Sequence, residues 1–326
     1  MNGIARKEKM EIPANIKIFL PALGALVVVG VLTSLMSDTF LTSRNILNVL
    51  NQATTTGIIG VGITFILTAG KFDLSSAASV CITGMISADL CANFGVHPLL
   101  AILIAILMGI IIGLINGFLV AYVGLIPFIA TLGTMNMIKG MSLIYSKSLT
   151  IFGMPEAYTM WGGSKLFDFI PSGIVVALIL YVIGYFLLTR SVFGHKICAI
   201  GGNSEAAKLA GINVKRTIVM AYVLAGVCYA IAGVMLTGRV GAAYPTAADG
   251  CELEVIAGVV IGGTAMSGGK GSHIGTYLGI VLVALINNAI NLLGISAYAT
   301  KLVQGTVILL AVIAEVVRSK AQEKRL

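Results

Sequence analysis

Charge is scarce in this chain: Asp, Glu, Lys and Arg together make up 10% of its 326 residues. That scarcity, with a mean hydropathy of +1.01, excludes an ordinary water-soluble globular domain. Histidine is also sparse, at His97, His195 and His273, and H-E-x-x-H does not occur, so no histidine-based catalytic or metal site is signalled. The five cysteines, Cys81, Cys91, Cys198, Cys228 and Cys251, form no C-x-x-C pair and have no histidine beside them. They read as small apolar packing residues, and no metal site is expected. Thr264-Ala265-Met266-Ser267-Gly268-Gly269-Lys270-Gly271 resembles a phosphate loop at first sight. It has Thr264 where the opening glycine belongs and Gly271 where the hydroxyl after lysine belongs, so ATP is not expected to bind there.

What is present is apolar residue, 58% of the chain, gathered in about ten continuous runs with short polar breaks. A helix needs about 20 apolar residues to cross the hydrocarbon core. Only helices or closed barrels satisfy every backbone N–H and C=O there. The runs do not alternate apolar with polar, so the expected fold is all-α: a polytopic helical bundle forming one transmembrane domain over 1–326. The expected spans are 16–36, 51–70, 74–94, 98–122, 127–146, 170–189, 217–237, 252–266, 273–294 and 297–317. The first is read as a membrane helix, not a cleaved signal, because it is long enough to span and no small-x-small site follows it. An even count places both termini on one side. Fifteen basic residues then fall on that side against five on the other, with Lys139 inside a span, which makes that side cytoplasmic. The formal charge of +8 has the same origin and does not call for nucleic acid.

Glycine is abundant, at 39 residues. Gly109, Gly113 and Gly117 repeat every fourth position, as do Gly271, Gly275 and Gly279. Each series lays a smooth stripe that admits another backbone, either as static close packing or as a sliding surface. Lys139, inside a span, faces a water-filled cavity or snorkels outward. Asp73, after Gly70-Lys71-Phe72, reads as an N-cap for the next helix. Asn116, Asn136, Asn287, Asn288 and Asn291 either bond across helices or meet a sugar's hydroxyls. The outer segment 238–254 is acidic, with Asp249, Glu252 and Glu254, and reads as a docking rim or a solvated turn. The span after it is short and breaks at Gly262-Gly263-Thr264, a feature of helices that line a substrate path.

The inner loop 190–216 is basic and contains a legible short helix: Asn203 as cap, Glu205 at the positive end, then Ala206-Ala207-Lys208-Leu209-Ala210, with Gly211 as stop. It reads as a peg for a partner's groove or as a helix lying on lipid headgroups.

Gly201-Gly202-Asn203-Ser204-Glu205-Ala206-Ala207-Lys208-Leu209-Ala210-Gly211-Ile212 resembles the cytoplasmic coupling segment of the ribose/galactose/xylose-type ABC importer permeases. Phe72-Asp73-Leu74-Ser75, Gly113-Leu114-Ile115-Asn116-Gly117 and Pro127 through Met135 are similar to further motifs of that family. So are Glu252 through Ala257, Val260 through Thr264, and Gly268-Gly269-Lys270-Gly271, so the resemblance covers almost the whole chain. Lys71-Phe72 stands where the family commonly has Gly-Ile, and Glu254 where it commonly has Asp. The resemblance implies a bacterial inner-membrane, multi-pass translocation subunit that is not itself an enzyme. It implies a second permease copy, identical or related, and a separate ATPase subunit that uses ATP and magnesium. A periplasmic sugar-binding protein would deliver the sugar. It assigns ATPase coupling to Asn203, Glu205, Ala206 and Gly211, and a translocation path to Asn116, Phe128, Thr131, Thr134 and Asn288. Autoinducer-2, inositol and nucleosides stand as alternative cargoes within the class. A stand-alone secondary transporter is the alternative outside it, disfavoured because no span centre carries Asp or Glu.

Overall fold

Each predicted span from 16–36 to 273–294 carries a helix in the computed structural model. The model describes residues 14–294 and, beyond them, only Leu302, Gly305, Thr306, Leu309 and Ile313. The predicted span 297–317 lies almost wholly outside the described residues, as do Arg6, Lys7, Lys9, Lys301 and the basic residues of the tail.

The order is α1 (Ala14–Met36), α2 (Ser43–Thr68), α3 (Ser76–Ala92), α4 (Pro98–Phe118) running into a π-helical turn (Leu119–Val123), and α5 (Pro127–Ser146). Then come α6 (Glu156–Gly163), a hairpin of β1 (Lys165–Leu166) and β2 (Ile170–Pro171), α7 (Ser172–Arg190), α8 (Val192–Gly202) and α9 (Ser204–Leu209). The chain continues through α10 (Val214–Val240), α11 (Cys251–Ile261) and α12 (His273–Leu292). Local chemistry sets the ends. Pro98 and Pro127 open α4 and α5, where a missing N–H costs nothing. Thr42 caps α2 by accepting from Asn45 N. Gly124 and Gly241 take positive φ just beyond the π turn and α10.

Among the described residues, five helices are long and apolar enough to cross a membrane: α2, α4 with its π turn, α7, α10 and α12. Shorter apolar helical stretches cover Leu20–Met36 and α3. α5 has the length, but Thr131, Thr134, Asn136, Lys139 and Ser142 interrupt its apolar surface. The count of ten full spans therefore needs correction at 252–266. There α11 ends at Ile261 after 11 residues, a rise of about 16 Å against a core of about 30 Å. The chain continues as irregular backbone to His273. The short hairpin, with Lys165 opposite Pro171 and Leu166 opposite Ile170, is a small departure from an all-helical fold.

α10 is the centre. It packs on α4, α2, α3 and α6, and its Tyr222 and Tyr229 are fully buried with Ile58, Ile59, Ile63 and Ile66 of α2. Sequence neighbours are not always spatial neighbours: α1 lies on α12, and α5 packs chiefly on α3. Glycine permits this crowding. A Cβ added at Gly109 would stand 2.2 Å from Gly226 O, and one at Gly226 would stand 2.0 Å from Gly109 O. Gly113 and Gly117 abut Tyr222 and Val219 of α10 in the same way. On the other side, Gly279 meets Gly258 and Gly275 meets Gly262, joining α12 to α11, while Gly271 lies before α12 and meets Thr68. Outward, α4 shows Leu103, Leu107, Ile111 and Leu114, and α1 shows Val27, Val28, Val31 and Leu35. Apolar surface of that extent suits lipid and not water.

The bundle has two ends. The basic end gathers Lys71, the π turn, α8, α9 and the segment 262–272; Lys215 lies 5.3 Å above the Tyr122 ring there. The far end gathers the start of α2, the end of α10 and the 147–171 and 241–250 connections, tied by an Ile151–Ala243 bridge.

Candidate functional site

The predicted coupling segment sits on the basic end, and its two halves differ. α8, unforeseen in the sequence, is fixed in place. Ser191 Oγ accepts from Gly194 N at 3.1 Å and donates to Leu187 O. Ile197 and Ile200 are buried, and the Phe193 ring lies 6.0 Å from that of Phe65 on α2. Gly201 is pressed so closely on Thr68 that a Cβ would stand 1.9 Å from Thr68 O and 2.4 Å from Gly269 N. Gly269 N itself donates to Thr68 O at 2.8 Å. The end of α2, the end of α8 and the 262–272 segment therefore meet backbone to backbone.

α9 is the opposite. Asn203 Oδ1 accepts from Ala206 N at 3.0 Å, and Gly211 takes φ +82° beyond the helix end. Only Ala207 is buried; Asn203, Glu205, Ala206 and Gly211 are exposed, and Leu209 is 89% exposed. α9 is thus a small helix with an uncovered leucine at its tip, standing next to the buried side of α8.

The second constellation surrounds the turn between α2 and α3. Asp73, 2% exposed, accepts from Ser75 N at 2.8 Å and Ser75 Oγ at 2.6 Å on one oxygen, and from Tyr229 OH at 3.1 Å on the other. Asn116 Nδ2 donates to Ser75 Oγ at 2.7 Å, Leu74 N to Thr131 Oγ1 at 3.1 Å, and Tyr222 OH to Phe72 O at 2.7 Å. The N-cap position of α3 is Ser75, not Asp73. Asp73 instead holds the preceding turn and links it to α10. Four elements converge here: this turn, α4 through Asn116, α5 through Thr131, and α10 through its two tyrosines.

The predicted path residues lie in several places in the bundle. Asn116 and Thr131 belong to this knot. Thr134 and Asn116 also border an apolar cavity of about 290 Å³ between α3, α4 and α5. Phe128 is half exposed on the surface of α5. Asn288 lies toward the far end in a reciprocal pair with Asn45, both bonds 3.0 Å. Lys139 Nζ pairs with Asp249 at 2.9 Å, on the partly exposed connection after α10. Tyr222 and Tyr229, central to the knot, were missed because a tyrosine in an apolar run announces no partner 150 residues away.

A model of the family described as branched-chain amino acid transport system / permease component matches residues 45–312. The chain is 42% identical over 294 residues to the ribose import permease protein of Bacillus subtilis, spanning 90% of this chain and 91% of that one. It is 36% identical to the D-allose transport system permease protein of Escherichia coli K12, over 92% of this chain and 93% of that one. It is 32% identical to the galactose/methyl galactoside import permease protein of Haemophilus influenzae, over 88% and 90%. No solved structure matches the chain.

Proposed function

The chain belongs to the family of the branched-chain amino acid transport system permease component, and from that premise we propose that it is the membrane-spanning permease subunit of an ATP-driven importer of a simple sugar, ribose or a related monosaccharide. The observation that carries this reading is the 42% identity to a ribose import permease over nine-tenths of both chains. The allose and galactose relatives support the same class of cargo.

The subunit translocates and does not catalyse. ATP and magnesium act on a separate ATPase at the basic end, where Ala206 and Leu209 of α9 enter its groove and Asn203, Glu205 and Gly211 set the shape and polarity of the peg. A sugar-binding protein docks at the far end, and a second permease copy completes the path across the bacterial inner membrane. A peg is useful only if its displacement reaches the bundle. α8 supplies that link, because it contacts both the end of α2 at Thr68 and the segment leading to α12 at Gly269. Rotating α8 shifts these two helix ends together, and a bistable bundle converts the shift into alternating access.

ATP-dependent uptake in proteoliposomes containing the permease, ATPase and binding protein tests the reading. Uptake that needs all components, and is lost in Glu205→Ala and Gly211→Trp complexes that still assemble, is expected. Uptake by this chain alone, indifferent to ATP and to both substitutions, overturns it in favour of a secondary carrier.

A further inference from the structure

At the far end, the start of α2 and the β1–β2 hairpin face each other across an open cleft of about 710 Å³. Arg44, Asn48 and Asn51 line it from α2, and their spacing of four and then three residues puts them on one helix face. Lys165, Phe169 and Pro171 line it from the hairpin. Lys165 pairs directly opposite Pro171, so those two side chains share one face of the ribbon. We propose that this cleft binds the headgroup of an anionic phospholipid, with its phosphate held between Arg44 and Lys165.

Charge carries the argument. The lining holds two cations and neither Asp nor Glu. Asp38 and Asp168 are near in sequence but lie outside the lining. Neither forms an ion pair with Arg44 or Lys165; among the described residues the ion pair is Lys139 with Asp249. A cleft walled by one sign of charge concentrates the opposite ion. The guanidinium of Arg44 presents a planar fork that matches two phosphate oxygens, and the ammonium of Lys165 adds a mobile point charge. Asn48, one turn along from Arg44, supplies amide donors on the same face.

The surroundings make that anion a lipid. The exposed apolar side of α1 runs through Val31 and Leu35 to Met36, and Thr39 and Thr42 of the following turn line the cleft. Leu35 is 79% exposed and Leu41, between the two threonines, 66%. Phe169, in the lining itself, is 57% exposed, and Phe167 at the hairpin tip is more so. Large apolar side chains uncovered to this degree suit the boundary between headgroups and acyl chains. Cations standing where an apolar outer surface ends lie at headgroup depth, where basic pockets hold anionic lipids. The cleft is also far larger than a bare phosphate ion, with room for the glycerol, while the acyl chains follow α1.

The site does not depend on which cargo the protein carries. Native mass spectrometry of the detergent-purified permease–ATPase complex, titrated with dioleoyl phosphatidylglycerol, reads it. One tightly held lipid per permease chain is expected, with dioleoyl phosphatidylcholine weaker. Arg44→Gln combined with Lys165→Gln should raise the phosphatidylglycerol midpoint about tenfold. It should leave the phosphatidylcholine midpoint and the melting temperature unchanged, since both side chains are exposed. Lys165→Arg, which keeps the charge, should bind as the wild type does. Millimolar inorganic phosphate should displace little of the lipid. Phosphatidylglycerol bound equally by wild type and the double variant overturns the site. Displacement by inorganic phosphate at the lipid's own midpoint concentration also overturns it, and marks a cleft for a soluble anion. A double variant that keeps the lipid but loses affinity for the sugar-binding protein assigns the cleft to carboxylates of that protein, and overturns it likewise.

Discussion

The two ends of the bundle are built from different materials. At the basic end, backbone meets backbone: Gly201 on Thr68, Gly268 on Gly70, Gly269 on Gly202, with no side chain between. The far end has backbone contacts too, Gly162 on Met235 and Ile151 on Ala243, but adds bridges by long side chains: Lys139 to Asp249, Arg239 to Asn51, Asn45 to Asn288, Tyr145 to Asp89. Backbone contacts have no rotamers to absorb a displacement. Side-chain bridges can re-form after one.

Substitutions at each end test this contrast. Asp73→Ala should be the most costly, about 3 kcal/mol, because it strands the Ser75 amide, the Ser75 hydroxyl and Tyr229 OH in a buried site. Melting of the detergent-purified protein measures it, and a loss near zero would mean that water reaches the knot. Gly201→Ala follows at about 2 kcal/mol, the usual range for overpacking, and should uncouple ATP hydrolysis from uptake, since α8 must lift off Thr68. Asn288→Ala removes half of the reciprocal pair and should cost about 1 kcal/mol. Lys139→Met should be mildest, below about 1 kcal/mol and sensitive to salt, because the pair is partly exposed. If Lys139→Met proves as damaging as Gly201→Ala, the far end is rigid too and the contrast collapses.

The apolar runs announce most of this architecture because the bilayer demands continuous helices of a set length. They understate helices whose first turns are polar: α2 begins at Ser43, eight residues before its apolar stretch becomes legible. They make the span 252–266 a few residues too long at its end, although its break at Gly262-Gly263-Thr264 is legible and α11 does stop at Ile261. α8 was hidden by its own glycines. Gly194, Gly201 and Gly202 lower helix propensity, so the segment reads as loop; Gly194 and Gly201 are tolerated because close packing on Leu188 and Thr68 requires them. α9 was visible through Asn203 and Gly211, because caps are local chemistry. Partnerships such as Thr131 with Leu74, or Lys139 with Asp249, are set by the three-dimensional path of the chain, and neither residue carries a sign of the other.

The shortness of α11 bears on how the protein is made. Eleven residues cannot partition into a bilayer as an independent helix, and the irregular backbone from Gly262 to Ser272 cannot face lipid, because its amides need partners. Those partners are already in the chain: Ala265 N bonds Lys270 O at 3.0 Å, and Gly269 N bonds Thr68 O. α11 must therefore enter the membrane together with α12, as a hairpin closed by Gly258 on Gly279 and Gly262 on Gly275, and only after α2 is in place to receive it. The order of synthesis, with α2 emerging well before α11, meets that requirement.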